Sequence, residues 1–229
     1  MLNTKGMRFS VDRILVCFRW YAAYSLSYRY LEEMMQERGV AVDHSSINRW
    51  AIRFLPLLEK VFRKHKHAVG TSWRMDETYI KVNGAWKYLY RAVDKQGQTV
   101  DFPLTAKRYA AAARRFFEKA IRHNTVSDKV TMDKSGANQS ALEQLNKERQ
   151  VPIEIRQVKY LNNIVEQDHR AIKRVIRPML GFKSFRAARA ILAGIELMHM
   201  IRKGQFILKG EGMSFADQFY ALAGQFRLA

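Results

Sequence analysis

The chain has 229 residues, 48% of them hydrophobic, which is ample for a buried core in one large domain or two small ones. Forty lysines and arginines against 21 aspartates and glutamates leave a formal net charge of +19, which points to a polyanionic partner: nucleic acid first, a membrane surface second. No segment approaches the roughly 18 uninterrupted apolar residues of a spanning helix, MLNTKGMRFS lacks the apolar run of a signal peptide, and the lone Cys17 excludes an intramolecular disulfide or a Cys-rich zinc site. A cytoplasmic location is therefore expected, with Cys17 a core thiol among the apolar residues of ILVCFRW.

The first part of the chain reads as helical. In VDRILVCFRWYAAY, Ile14, Phe18 and Tyr21 recur at helical spacing, as do Leu31, Met34 and Met35 in RYLEEMMQERG, where Gly39 ends the helix. Asp43 is the expected N-cap of HSSINRWAIRF, whose buried stripe is Ile47, Trp50, Ala51 and Phe54. The opposite face carries Ser45, Ser46, Asn48, Arg49 and Arg53, a polar and basic set suited to phosphates and base edges. Helix, glycine-containing turn and polar-faced helix together read as a helix-turn-helix. The plainer alternative, a three-helix bundle with a solvated outer face, fits the pattern too, and the net charge counts against it. His65 and His67 in KHKHA stand two apart without further ligands nearby, so phosphate contact or solvation is expected of them rather than metal binding.

From Trp73 the pattern becomes that of strands. WRMDETYIKV, AWKYLYRAVD and QTVDFPLT are separated by NGA and KQGQ, which read as hairpin turns. Then come the helix RYAAAARRFFEKAIRH, the strand KVTMD, the helix SGANQSALEQLNKE, the strand PIEIRQV and a long helix from about Asn163 to Arg177. Three antiparallel strands followed by alternating helix and strand is the element order of a ribonuclease H-like α/β domain.

Asp76 lies within the first strand, Asp133 at the end of the fourth and Glu166 in the first turns of the long helix. Strand ends and facing helix starts converge on one crevice in such a sheet. Carboxylates that converge without cationic partners repel one another, and a hard divalent cation resolves the conflict. Mg2+, or Mn2+, is the expected ion. Two such ions can activate a water or a 3′-hydroxyl and stabilise the leaving oxygen during in-line displacement at a phosphodiester.

The neighbouring candidates read differently. Glu77 points to the opposite face of the strand from Asp76, and periodicity alone does not choose between them. Asp94 is expected to start a hairpin turn. Asp168, roughly 200° round the helix from Glu166, should face away and pair with a basic residue. His169 shares the side of Glu166 more nearly, but is more simply a partly buried polar residue.

The blocks WRMDETYIKVNGAWKYLYRAVDKQGQTVDF, TMDKSGAN, QVKYLNNIVEQDHRAIKRV, GFKSFRAARAILAGIE and MIRKGQ, in that order, resemble the DDE transposases of bacterial insertion sequences, specifically the IS-six type. The resemblance covers nearly the whole chain. It implies that the catalytic, metal-holding acids are Asp76, Asp133 and Glu166, and that Lys173, seven residues after the glutamate and close to two helical turns on, grips the DNA strand. The interval between Asp133 and Glu166 is a couple of residues short of the family pattern, a difference assigned to the KERQVPIE loop.

The resulting expectation is a helix-turn-helix DNA-binding domain at 1–68, a ribonuclease H-like DDE catalytic domain with a mixed sheet flanked by helices at 69–180, and C-terminal helices at 181–229. The last of these, with an apolar face through Ile191, Leu192, Ile195 and Met198, should pack on the catalytic domain or a partner subunit. The expected function is a transposase that binds element ends and performs Mg2+-dependent strand cleavage and transfer on double-stranded DNA, as a homodimer or higher assembly associated with the nucleoid. The rivals are a helix-turn-helix regulator without catalysis and a nuclease of the same fold.

Overall fold

In the computed structural model, residues 8–134, 136–158, 162–208 and 212–228 are described, with side chains as far as residue 224. They form two compact units. One joins Met1–His67 with Ile172–Ala229 and the other is Ala68–Ala171.

The first unit is helical: α1 (Val11–Ala23), α2 (Tyr28–Gln36), α3 (His44–Phe62), and, after the second unit, α7 (Phe185–Arg202) and α8 (Phe215–Leu228). Gly39, at φ +69°, lets the chain leave α2 while the Val40 N–H closes on the Met35 carbonyl at 2.9 Å. Asp43 then caps α3, its Oδ1 accepting from the Ser45 N–H at 2.8 Å and from the Ser45 hydroxyl. The buried stripe of α3 runs through Ile47, Trp50, Ala51 and Phe54 and continues to Leu55, Leu58 and Phe62. Cys17 is buried in α1, as a core thiol should be.

Within the helical unit, α7 packs against α1, α3 and α8. Its burial runs almost all round, from Ala188 and Ala190 through Gly194 to Met200 and Ile201, which is the pattern of a central helix rather than a surface one. Its small residues explain the close approach: a Cβ on Gly194 would stand 2.7 Å from both Leu55 methyls. A short antiparallel contact completes the join, with the His67 N–H donating to the Gln205 carbonyl at 3.0 Å and the Ile207 N–H to that of His65 at 2.7 Å.

The second unit is built on a sheet of β1 (Ser72–Val82), β2 (Ala85–Asp94), β3 (Thr99–Asp101), β4 (Leu104–Thr105), β5 (Lys129–Met132) and β6 (Glu154–Gln157). Its helices are α4 (Ala110–His123), α5 (Gly136–Lys147) and the first part of α6 (Asn163–Ile176). Strand order is β3-β2-β1-β5-β6, antiparallel through β1–β2–β3 and parallel through β1–β5–β6, which is the ribonuclease H-like arrangement. Asn83 and Gly84, at φ +48° and +74°, make the tight turn that the Asn-Gly pair predicts. Asp94 starts the next one, Oδ1 accepting from the N–H groups of Gln96 and Gln98 while Oδ2 holds that of Gly70. The expected third strand is split into β3 and β4 around Pro103, which has no N–H to give a ladder.

The two sheet faces are covered differently. Trp73, Met75, Val130 and Met132 face a core completed by Ala113, Phe116 and Phe117 of α4 and Ala141, Leu142 and Leu145 of α5. On the other face α6 is tied to the sheet by polar contacts. Asn162, just before it, donates to the Met75 carbonyl at 3.2 Å, and buried Arg91 on β2 pairs with Asp168 at 2.9 Å.

Two stability predictions follow from these contacts. Gly194→Val should lower unfolding free energy by about 1–3 kcal/mol through overpacking against Leu55, read as a shift in denaturant midpoint, and adding Leu55→Ala should cost less than the two single losses summed. Asp168→Ala, which removes the carboxylate paired with a buried guanidinium, should cost about 3–5 kcal/mol, whereas Arg91→Met with Asp168→Leu should lie nearer the wild type.

Candidate active site

Antiparallel pairing of Asp76 with Arg91 puts both on the sheet face that α6 covers. The parallel β1–β5 register pairs Trp73 with Val130 and Arg74 with Thr131. Continued two residues further, it sets Asp133, just past the end of β5, level with Asp76 and on the same face. Glu166 lies in the first turn of α6. Three carboxylates from a strand interior, a strand end and a helix start thus approach one region.

Electrostatics report the approach. The Asp76 carboxyl is pushed up to about 7, first by burial and then by the negative charges of Glu77, Asp133 and Glu166, against a lowering hydrogen bond from the Glu77 backbone. Asp133 Oδ1 is buried without a hydrogen-bond partner among the described residues. Glu166 is half-buried, and its ion-pair contact is Arg170 one turn on, at 3.9 Å. The cluster is therefore short of positive charge in a strongly basic chain. Its donors are all hard carboxylate oxygens, the ligand type that Mg2+ and Mn2+ take, and an orphaned buried oxygen is consistent with such a ligand. The oxygens are splayed: among the described residues, Glu32, Asp43 and His44 are the group whose ligand atoms all lie within 4.8 Å of one another. That group is satisfied internally, with Asp43 capping α3 and His44 Nδ1 2.8 Å from Glu32 Oε2.

The residues around the acids fall on either side of the sheet. Glu77 turns to the α4–α5 side, where Asn138 of α5 donates to its Oε2 at 2.8 Å and Arg108 pairs with Oε1. Burial holds Glu77 above the ordinary carboxylate range, opposed by Asn138 and Arg108 and reinforced by Asp133. On the α6 side, buried His169 brings Nε2 to 3.6 Å from Asp76 Oδ2. Helical spacing from Glu166 pointed to His169, but its burial against Asp76 depends on how α6 lies on the sheet. Arg108 and Asn138 carry no signal in the sequence, since each reaches Glu77 from a different element. Asp168 faces away from Glu166 and pairs with Arg91, as its phase predicts. Lys173 is exposed, seven positions beyond Glu166 on the continuous α6.

The polar face of α3 is placed as expected from its periodicity. Ser45, Arg49 and Arg53 are exposed, Ser46 and Asn48 half-buried, and the Arg49 guanidinium donates to the Ser46 hydroxyl at 3.0 Å. No helix among the described residues is long and apolar enough to cross a membrane.

Comparison with known proteins places the chain in a family. The DDE domain family model (DDE_Tnp_IS240) matches residues 70–205, a span that includes all three acids. The transposase for insertion sequence-like element IS431mec of Staphylococcus aureus (strain Mu50) is 37% identical over 197 residues, covering 86% of this chain and 87% of the relative. The transposase of insertion sequence element IS257 in transposon Tn4003, also of Staphylococcus aureus, is 36% identical over the same lengths. Among solved structures, the HTLV-2 integrase catalytic core domain in complex with magnesium (dimeric form) is similar at 16% identity and a TM-score of 0.46, over 66% of this chain and 97% of that one. The BIV integrase catalytic core domain is similar at 15% identity and a TM-score of 0.42, over 69% and 97%. With its DDE domain matched and relatives aligned over most of their length, the chain belongs to the IS-six type of DDE transposases of bacterial insertion sequences, enzymes of DNA transposition.

Proposed function

We propose that this transposase binds the ends of its element through α3 and cleaves and joins DNA at Asp76, Asp133 and Glu166, acting in the cytoplasm on nucleoid DNA as a homodimer or higher assembly. The observation that carries the reading is the convergence of those acids, with Asp76 pushed up by its neighbours' charges and an Asp133 oxygen buried without a hydrogen-bond partner among the described residues, in a protein whose net charge is +19. Asp76, Asp133 and Glu166 would hold Mg2+ or Mn2+, in a two-ion site. Bound there, the cations supply Lewis-acid stabilisation of the charge that builds on phosphodiester oxygens during in-line displacement.

The chain's own residues do the rest. Ser45, Ser46, Asn48, Arg49 and Arg53 present donors and positive charge to base edges and phosphates of the terminal repeat. Lys173, on the exposed side of α6, holds the phosphate backbone near the acids. His169 packs against the Asp76 carboxylate and limits the directions it can take, while the Arg91–Asp168 pair fixes the helix that carries Glu166.

The decisive experiment incubates the protein with labelled element-end DNA, a target plasmid and Mg2+. Joined products are expected from the wild type, and Asp133→Ala should lower their yield by about 100-fold or more, since several kcal/mol of charge stabilisation go with the ligand. Hydrolysis without joining would instead identify a nuclease, and salt-sensitive binding with neither product a regulator. A pH series gives a second check. Because the folded pKa of Asp76 lies above its ordinary value, the metal-free fold gains from that proton at low pH and loses the gain as pH rises through about 7. The thermal midpoint of Asp76→Asn should therefore gain on the wild type between about pH 5 and about pH 8, and wild-type Mg2+ affinity, followed calorimetrically, should rise with pH and level off above about 7.

A further inference from the structure

Within the helical unit, α3 and α7 border a cleft of ≈ 340 Å³ lined by Arg49, Ile52 and Arg53 of α3 and by Ser184, Arg186 and Ala187 at the start of α7. Three guanidiniums from two helices open onto one concavity, and no carboxylate belongs to its lining. All three arginines are exposed, and among the described residues none has an ion-pair partner. Arg49 donates to Ser46, Arg53 lies over the Phe54 ring at 5.0 Å, and the Ser184 hydroxyl is occupied by the Ala187 N–H at 3.1 Å. Lys183 and Arg189, also exposed, flank Arg186 along the chain. Like charges held together at a surface without counter-charge raise the local potential and favour an anion there. Planar, forked guanidiniums suit the oxygens of a phosphate better than any other common anion of comparable size except a carboxylate.

The cleft shares Arg49 and Arg53 with the polar face of α3. A duplex with α3 in its major groove presents phosphates on both sides of that groove, so a neighbouring helix end that shares those arginines meets the backbone rather than the bases. We propose that the α3–α7 cleft is a phosphate-binding site for the backbone of the DNA that α3 reads, so that α7, which follows the catalytic unit in the chain, contributes Arg186 to end binding. This rests on the assignment of α3 as the DNA-facing helix.

The test is fluorescence anisotropy of the full chain on an element-end duplex and on a random duplex, across a range of salt. The variants are Arg186→Ala, Arg186→Lys, Asn48→Ala and, as a charge-matched control at an exposed position of α4, Arg122→Ala. Arg186→Ala should weaken both duplexes alike, about five- to tenfold at ~0.1 M salt, and lower the slope of log affinity against log salt by about one. Arg186→Lys should recover the slope, Arg122→Ala should match the wild type, and unchanged thermal midpoints exclude misfolding. If Arg186→Ala behaves like Arg122→Ala while Asn48→Ala loses discrimination between the duplexes, the cleft proposal is overturned and the reading of α3 stands. If Arg186→Ala weakens both duplexes while Asn48→Ala keeps discrimination, the cleft stands and base reading by that face of α3 does not.

Discussion

Repulsion among carboxylates gathered around β1 is the constraint on which the catalytic unit depends. Glu77, Asp133 and Glu166 all act on Asp76 there, and Asp133 acts on Glu77, in surroundings that burial makes poor at solvating charge. The fold answers this in two ways. Where an acid serves the architecture, the chain supplies its cation: Arg91 for Asp168, Arg108 for Glu77, Lys119 for Asp101. Asp76 has the histidine His169 beside it and Glu166 only a loose contact with Arg170, while Asp133 keeps a buried oxygen without a hydrogen-bond partner among the described residues. Compensated acids hold the sheet and α6 in place, and the acids left short of charge are those proposed above to hold a divalent cation.

The helical unit shows the same imbalance with the sign reversed. Its inner surface is an apolar assembly around α7, tight enough that Gly194 leaves no room for a Cβ beside Leu55. Arg49, Arg53 and Arg186 remain on its outside with no carboxylate among the cleft residues. In the proposed function a polyanion supplies what the helical unit lacks, and a hard cation what the acids lack. The two needs are complementary in a DNA transposase, where the substrate brings the phosphates and the medium brings the ions.

Much of this architecture is readable by local pattern. The helical spacing of Ile47, Trp50, Ala51 and Phe54, the N-cap at Asp43 and the Asn83–Gly84 turn are each decided by residues within a turn or two of one another. The phase of α6 likewise separates Asp168 from Glu166, because a helix converts spacing into direction without help from the rest of the chain. Pro103 acts locally as well: a residue without an N–H interrupts what otherwise reads as one strand.

Other features lie beyond any local pattern. The partner of Asp168 is Arg91, 77 positions away, and Glu77 is held by Arg108 and Asn138 from separate elements. That α7 belongs to the helical unit, with apolar residues on nearly every side, could not be read from a face through Ile191, Leu192, Ile195 and Met198, because which sides are covered depends on α1, α3 and α8 arriving around it. By itself, then, the sequence determined most of the elements and their order and marked the candidate acids, since these follow from short-range sterics, periodicity and a motif order. Only the tertiary structure decided which charges are answered and which are left open, because pairing energies depend on distance and burial, and both are set by segments far apart in the chain.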